Sequence, residues 1–212
     1  MNLSIVTEPS SEPVSLADVK NFCKVDSDMT DDDMLLMILI GAARRYAEAY
    51  TGRAFIAQVW QATLDSFPLT VQPLSVLTPA PVPRFRGADI TIPMGNIQAI
   101  NAITYLDVTG QWQTLDPAAY IADVTGLVAR LSPAAGKSWP QTLNQIASVK
   151  ISFSAGYGAD SSHVPEGIRH WILIRANTLY MNREEVAILS RGKVDPLPFV
   201  DSLLDLYKVP AI

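Results

Sequence analysis

SLADVKNFCKVDSDMTDDDMLLMILIGAARRYAEAYTGR (Ser15–Arg53) decides the fold of this chain, and it parses as a short helix, an acidic turn and a long helix. Ser15 with Asp18 three residues on is a capping-box-like start, which predicts a helix from Leu16 to about Cys23. The turn Lys24–Met29 carries Asp26, Ser27 and Asp28, whose short side chains bond their own backbone and break helices. Thr30 is the expected cap of the second helix. Asp31, Asp32 and Asp33 are then expected to fill its first turn, where carboxylates meet the positive end of the helix dipole. Leu35, Leu39, Ala42, Tyr46 and Ala49 recur at spacings of three and four and predict the buried face. Leu36, Ala43, Ala47 and Tyr50 widen that stripe, so both sides of it are expected to touch protein. Gly52 is placed to take the left-handed conformation that ends a helix.

Outward from this stretch, residues 1–14 read as an irregular lead-in with Pro9 and Pro13. Phe55–Asp65, rich in aromatic and β-branched residues, reads as a strand. Six of the 15 prolines then fall within Phe67–Pro93. Proline fixes φ and removes a donor, which excludes a helix or a central strand there. The segment reads as an extended arm or long loop with Arg84 and Arg86 near its tip, either lying across a sheet edge or reaching a neighbouring subunit. Ile97–Leu106 and Gln111–Leu115 are strands around the turn Asp107–Gly110. Tyr120–Asp123 and Leu127–Leu131 flank a second hairpin turn, Val124–Gly126. Ile146–Ala155 alternates Val149, Ile151 and Phe153 with Lys150, Ser152 and Ser154, the pattern of a half-buried strand. Val164-Pro165 opens a third helix, with an apolar stripe of Ile168, Trp171, Ile172, Ala176, Leu179 and Tyr180. Arg169 and Arg183 lie off that stripe. After a linker, residues 185–198, Phe199–Tyr207 is a short helix expected to bury Phe199, Leu203 and Leu204.

The fold class is therefore α+β. A mainly α-helical body is expected from residues 1–54 and 155–212, with three helices plus a short C-terminal helix. An antiparallel β unit, residues 55–154, is inserted between helices two and three and carries the proline-rich arm, 67–93.

Composition narrows the function. With 212 residues, 49% of them hydrophobic and 17% charged, the chain is long and apolar enough for a proper core. A net charge of −5 opposes a dedicated nucleic-acid binder. The acidic excess belongs to residues 1–52, which hold nine acids against four bases. The lone cysteine, Cys23, excludes an intramolecular disulfide and reads as a small apolar helix residue. No apolar run approaches a membrane span, and the start MNLSIVTEPSSEP lacks the features of a signal peptide, which together predict synthesis in the cytoplasm and no membrane partner.

Motifs for chemistry fail one by one. A calcium loop starting at Asp26 needs glycine where Asp31 stands and glutamate where Met37 stands. Ala135-Gly136-Lys137-Ser138 resembles the end of a phosphate-binding loop, but Leu131 occupies the first glycine position and Trp139-Pro140 replaces the helix. His163 and His170 lack zinc-ligand spacing. Ser162 beside His163 carries no triad information, because triads are spatial. Arg44-Arg45 reads as a solvated face or as a pair for acids on a neighbouring subunit. No catalytic, metal or cofactor residue is expected.

An acidic turn between two helices followed by AEAYTGRAF (Ala47–Phe55) resembles the head–tail connector proteins of long-tailed phages and gene transfer agents, also called adaptor or head-completion proteins. AGYGADSSHVPEGIRHWILIRANTLYMNRE (Ala155–Glu184) and LPFVDSLLDLYKV (Leu197–Val209) carry the resemblance at the other end. It implies a structural virion protein without an active site, located at the head–tail junction. About a dozen copies would form a ring. The implied partners are the portal protein above, a stopper or tail-completion protein below, and further copies of the chain, with DNA passing through the channel without specific binding. An acidic or neutral channel wall would let DNA slide, whereas a basic one would hold phosphates. Phe199, Leu203, Leu204 and Tyr207, with Arg84 and Arg86, are the expected portal or intersubunit contacts; the tail's other option is to fold back on its own subunit. The rival readings are another virion module, such as a stopper or tail-completion protein, and a phage hydrolase or nuclease. Five acids scattered through the β unit give a nuclease no metal cluster.

Overall fold

The computed structural model describes residues 1–68, 88–182 and 198–210 and is α+β, with four α-helices and eight strands among the described residues. The chain divides into a β unit, Met1–Glu8 with Gln58–Ala155, and a helical unit, Pro9–Ala57 with Gly156–Ile212.

In the helical unit, α1 (Leu16–Cys23) starts at a complete capping box. The Ser15 hydroxyl accepts from the Asp18 amide and the Asp18 carboxylate accepts from the Ser15 amide, both at 3.1 Å. The Ser15 hydroxyl also donates to the Asp18 carboxylate at 2.6 Å, and that bond first, then the one from the Ser15 amide, holds the Asp18 carboxyl below its ordinary pKa. Lys24 ends α1 in the left-handed region, φ 59°.

The second helix, α2 (Asp33–Thr51), begins later than its acidic run suggests, so only Asp33 lies in its first turn. Competing partners explain the delay. Tyr180 donates to Asp32 at 2.6 Å, and Lys20 takes Asp33 in an ion pair at 2.5 Å. The same ammonium donates to the carbonyls of Met29 (2.7 Å) and Ser27 (3.4 Å), so the acidic turn is wrapped around one buried lysine. Gly52 closes α2 with φ 68°, as its position predicts.

The buried face of α2 is Leu36, Ile40, Ala43 and Ala47, centred on the residues expected to widen the stripe and not on the stripe itself. Ala42, Tyr46 and Ala49 are exposed instead. Apolar residues stand on every side of this helix, so periodicity alone does not fix its phase. Arg44 is not solvated. It is only 3% exposed, with Nε donating to Glu12 and Nη1 donating to Glu48, both at 2.8 Å. Burial alone would lower the guanidinium pKa; Glu12 and Glu48 outweigh it and hold it above its ordinary value. Glu48 also accepts from the Phe55 amide at 2.9 Å. Phe55 and Ile56 are fully buried among the helices, which postpones the strand to Gln58. The third helix, α3 (Glu166–Met181), supplies Ile168, Trp171, Ile172 and Ala176 to this core. The last, α4, is Pro198–Asp205.

The β unit holds two antiparallel sheets. The larger has the order β1 (Asn2–Thr7), β2 (Gln58–Leu64), β8 (Val149–Ala155), β4 (Ile97–Leu106) and β5 (Trp112–Thr114). Residues 2–7 are thus an edge strand, paired Asn2 to Thr63 through Thr7 to Val59, rather than an irregular lead-in. Val149, Ile151, Phe153 and Ala155 of the central β8 are all fully buried, on the face their alternation predicts. The smaller sheet has the order β3 (Ile90–Ile92), β7 (Ala129–Pro133) and β6 (Tyr120–Asp123). Within the segment read as an arm, Ile90–Ile92 is a strand after all, at a sheet edge where the adjoining proline is tolerated. Residues 69–87, with Arg84 and Arg86, lie outside the described residues, as does the linker up to residue 197. Phe67 stacks on the Trp139 ring at 4.9 Å, and the Trp139 Nε1 donates to the Ala88 carbonyl at 2.6 Å.

The β4–β5 turn is built on one carboxylate. Asp107 accepts from the Thr109 hydroxyl and amide, from the Gln111 amide and from Gln113, and Gly110 takes φ 81°. These bonds, the Thr109 hydroxyl first, pull the Asp107 pKa well below the ordinary carboxylate range.

Two outcomes are expected. Glu48→Ala leaves Arg44 short of a buried partner and the Phe55 amide without its acceptor, and should cost about 3 kcal/mol in a urea unfolding titration. For Asp107 the folded pKa lies below the unfolded one, near about 3.9. Its stabilisation is therefore complete above that pH and is lost as pH falls toward the folded value. Thermal melts of Asp107→Asn should accordingly fall less steeply than wild type below about pH 4.

Candidate assembly surface

The C-terminal segment, the first expected contact, is built into its own helical unit. Leu204 is fully buried in the core that holds Trp171, and Leu203, Val200 and Tyr207 pack against it half-buried. Trp171 Nε1 donates to Asp201 at 3.1 Å, and Tyr50 donates to Asp205 at 2.7 Å. The second bond, more than any other influence, lifts the Tyr50 phenol above its ordinary pKa. Beyond α4, Arg53 Nε donates to the Tyr207 carbonyl, and the Val209 amide donates to the Thr51 carbonyl at 2.8 Å. Val209 also sits over Gly52, where a Cβ would come within 3.4 Å of it. The segment thus caps the end of α2. Of the expected contacts, Leu204 is spent inside the fold, Leu203 and Tyr207 keep part of their surface, and Phe199 lies in the first turn of α4. Arg84 and Arg86 lie outside the described residues. Leu206, which was not among the expected contacts, is 87% exposed.

A second surface stands out on α2. Opposite its buried face, Met34 (72% exposed), Ile38 (61%) and Met37 (52%) are open to solvent, with Gly41, Ala42, Arg45 and Ala49 following on the same side. The signal was present in the sequence as the width of the apolar stripe; the error in phase hid which residues form the outer face.

Ser162 and His163, screened for chemistry, belong to a local cap. Asp160 Oδ1 accepts from the Ser162 amide and hydroxyl and lies 3.1 Å from His163 Nδ1, an arrangement that caps the 3-10 turn Ser161–His163. Serine and histidine converge on the same carboxylate oxygen, so the histidine is not interposed as a base between them. Cys23 is half-buried, and burial raises its thiol pKa, which disfavours the reactive thiolate. His170 meets Phe22 edge to face at 6.1 Å beside an open groove of about 620 Å3 lined by both acids and bases, Asp18 and Arg169 among them. Among the described residues no three histidines, cysteines or carboxylates gather as metal ligands, and no helix is long and apolar enough to cross a membrane.

Residues 13–79, which contain α1, the acidic turn, α2 and β2, match the model of the phage gp6-like head–tail connector proteins. The chain resembles the head–tail connectors. Its fold agrees, at 18% identity and a TM-score of 0.77, with a chain from the neck of an empty gene transfer agent particle computed with C6 symmetry. A chain from the virion of a native gene transfer agent particle matches at 19% identity and 0.76. One from the neck of the native particle computed with C12 symmetry matches at 18% and 0.65. Each match covers 100% of this chain and 97% of the other. No curated protein matches the chain.

Because α4 is part of the core, Leu204→Ala should lower the stability of the isolated protein by about 2–4 kcal/mol, read as a fall in urea midpoint. An unchanged midpoint would show that the tail does not depend on this contact.

Proposed function

We propose that this chain is a structural virion subunit at the head–tail junction, where copies form a ring beneath the portal and extend the DNA channel toward the tail. The observation that carries the reading is the full-length agreement of the fold with neck chains of symmetric particles, joined to the connector match over residues 13–79. The portal protein on one side and a stopper or tail-completion protein on the other are the partners, and DNA passes without specific binding.

Physical features support this reading. A ring subunit works by surface complementarity and needs no reacting group, in keeping with side chains that serve caps, turns and core. A net charge of −5 suits a wall that DNA slides along, since few cations are offered to the phosphates. Leu203, Leu206 and Tyr207 are among the tail residues with surface left to offer a portal or a neighbouring subunit. The proline-rich segment, with Arg84 and Arg86, is the other contact we assign to that role.

Native mass spectrometry of the purified protein, alone and mixed with its cognate portal, tests the proposal. A discrete ring, or a subunit that adds about twelve copies to the portal, is the expected result. A monomer or dimer indifferent to the portal would overturn it and favour a stopper or tail-completion role.

A further inference from the structure

We propose that the outer face of α2 is the surface through which one copy of this chain grips the next, with Arg45 meeting the acidic turn of the neighbour. The inference rests on the ring reading and adds the residues that close the ring.

The helix itself carries the argument. Over 19 residues α2 has four charged side chains, Asp33, Arg44, Arg45 and Glu48. Asp33 is engaged by Lys20, and Arg44 and Glu48 are engaged with each other inside the unit. Arg45 is therefore the sole charge on the outer face, among Met34, Met37 and Ile38, each more than half exposed. A helix apolar on both sides is normally enclosed on both. Its own core covers one side here, so the other awaits protein. Gly41, Ala42 and Ala49 leave room for close approach, and methionine adapts its shape to what packs on it.

Charge selects the occupant. Arg45 pairs with no acid among the described residues. Asp26, Asp28 and Asp31, exposed in the turn before the helix, are likewise outside every ion pair found among those residues. Arg45 stands roughly 18 Å along α2 from its first residue, Asp33, at 1.5 Å per residue, too far to meet the turn before the helix within one chain. Neighbours related by rotation about a ring axis present different surfaces to each other. The start of α2 is anionic and apolar and the cation lies further along the same face, so a second copy displaced along the helix supplies the missing acids. A copy in register would instead set acid against acid.

The test uses the full chain. Ile38→Asp puts a charge at a site 61% exposed, so its thermal melt should match wild type while association between copies weakens at least about tenfold by native mass spectrometry. Arg45→Glu should weaken association too, and Asp28→Arg with Asp31→Arg in the same chain should restore it. Rings from Ile38→Asp at wild-type strength would overturn the α2 interface and leave the ring reading standing. Failure of the charge exchange to restore association would overturn the pairing of Arg45 with the turn. Wild-type protein that stays monomeric both alone and on the portal would overturn the ring reading and this inference together.

Discussion

The helical unit depends on a buried guanidinium. An unpaired cation at Arg44's depth would be strongly unfavourable, so its position is tenable only with Glu12 and Glu48 in place. The same three side chains tie together distant parts of the chain. Glu12 belongs to the lead-in, Glu48 to the last turns of α2, and its second oxygen holds the amide of Phe55 as the chain leaves the helix. One ionic cluster thus sets where the chain enters the unit and where it departs for the sheet. Hydrophobic contacts among Leu36, Ile40, Phe55 and Trp171 supply the driving force for collapse. They tolerate sliding, and the directional bonds do not.

How much of this was legible in the sequence depended on whether the deciding partner was local. The Ser15 capping box, the Gly52 terminus and strands Ile97–Leu106 and Tyr120–Asp123 follow from residues a few positions apart, and they stand where the sequence placed them. Strand Asn2–Thr7 was missed because its partner, Gln58–Leu64, lies more than fifty residues away and two prolines follow it. Arg44 read as solvated because Glu12 is 32 positions upstream. The start of α2 was read too early because Tyr180, far along the chain, takes the Asp32 carboxylate. The phase of α2 went wrong for a different reason: a helix bearing Met34, Met37 and Ile38 outside and Leu36 and Ile40 inside has almost no polar face to define its period. At the assembly surface, the apolar character of the tail was legible. That it caps its own subunit was not, because the bonds deciding it run from Tyr50, Thr51 and Arg53 to residues more than 150 positions on.

The C-terminal segment has a double character that follows from this arrangement. Leu204 and the bond from Trp171 make α4 part of the core, whereas Leu206 projects into solvent on the residues just beyond it. A segment so anchored presents its outer residues at a fixed position. Whatever docks there meets an ordered surface and need not supply the entropy cost of ordering a free tail.

The acidic turn between α1 and α2 looks from its composition like a place for a divalent cation, and the chain fills that place itself. Lys20 brings an ammonium to the carbonyls of Ser27 and Met29 and to the Asp33 carboxylate, the oxygen types a calcium ion would otherwise seek. A tethered cation has no dissociation equilibrium with the medium. The turn therefore keeps its shape whether the surroundings are rich in calcium, depleted of it or loaded with chelator.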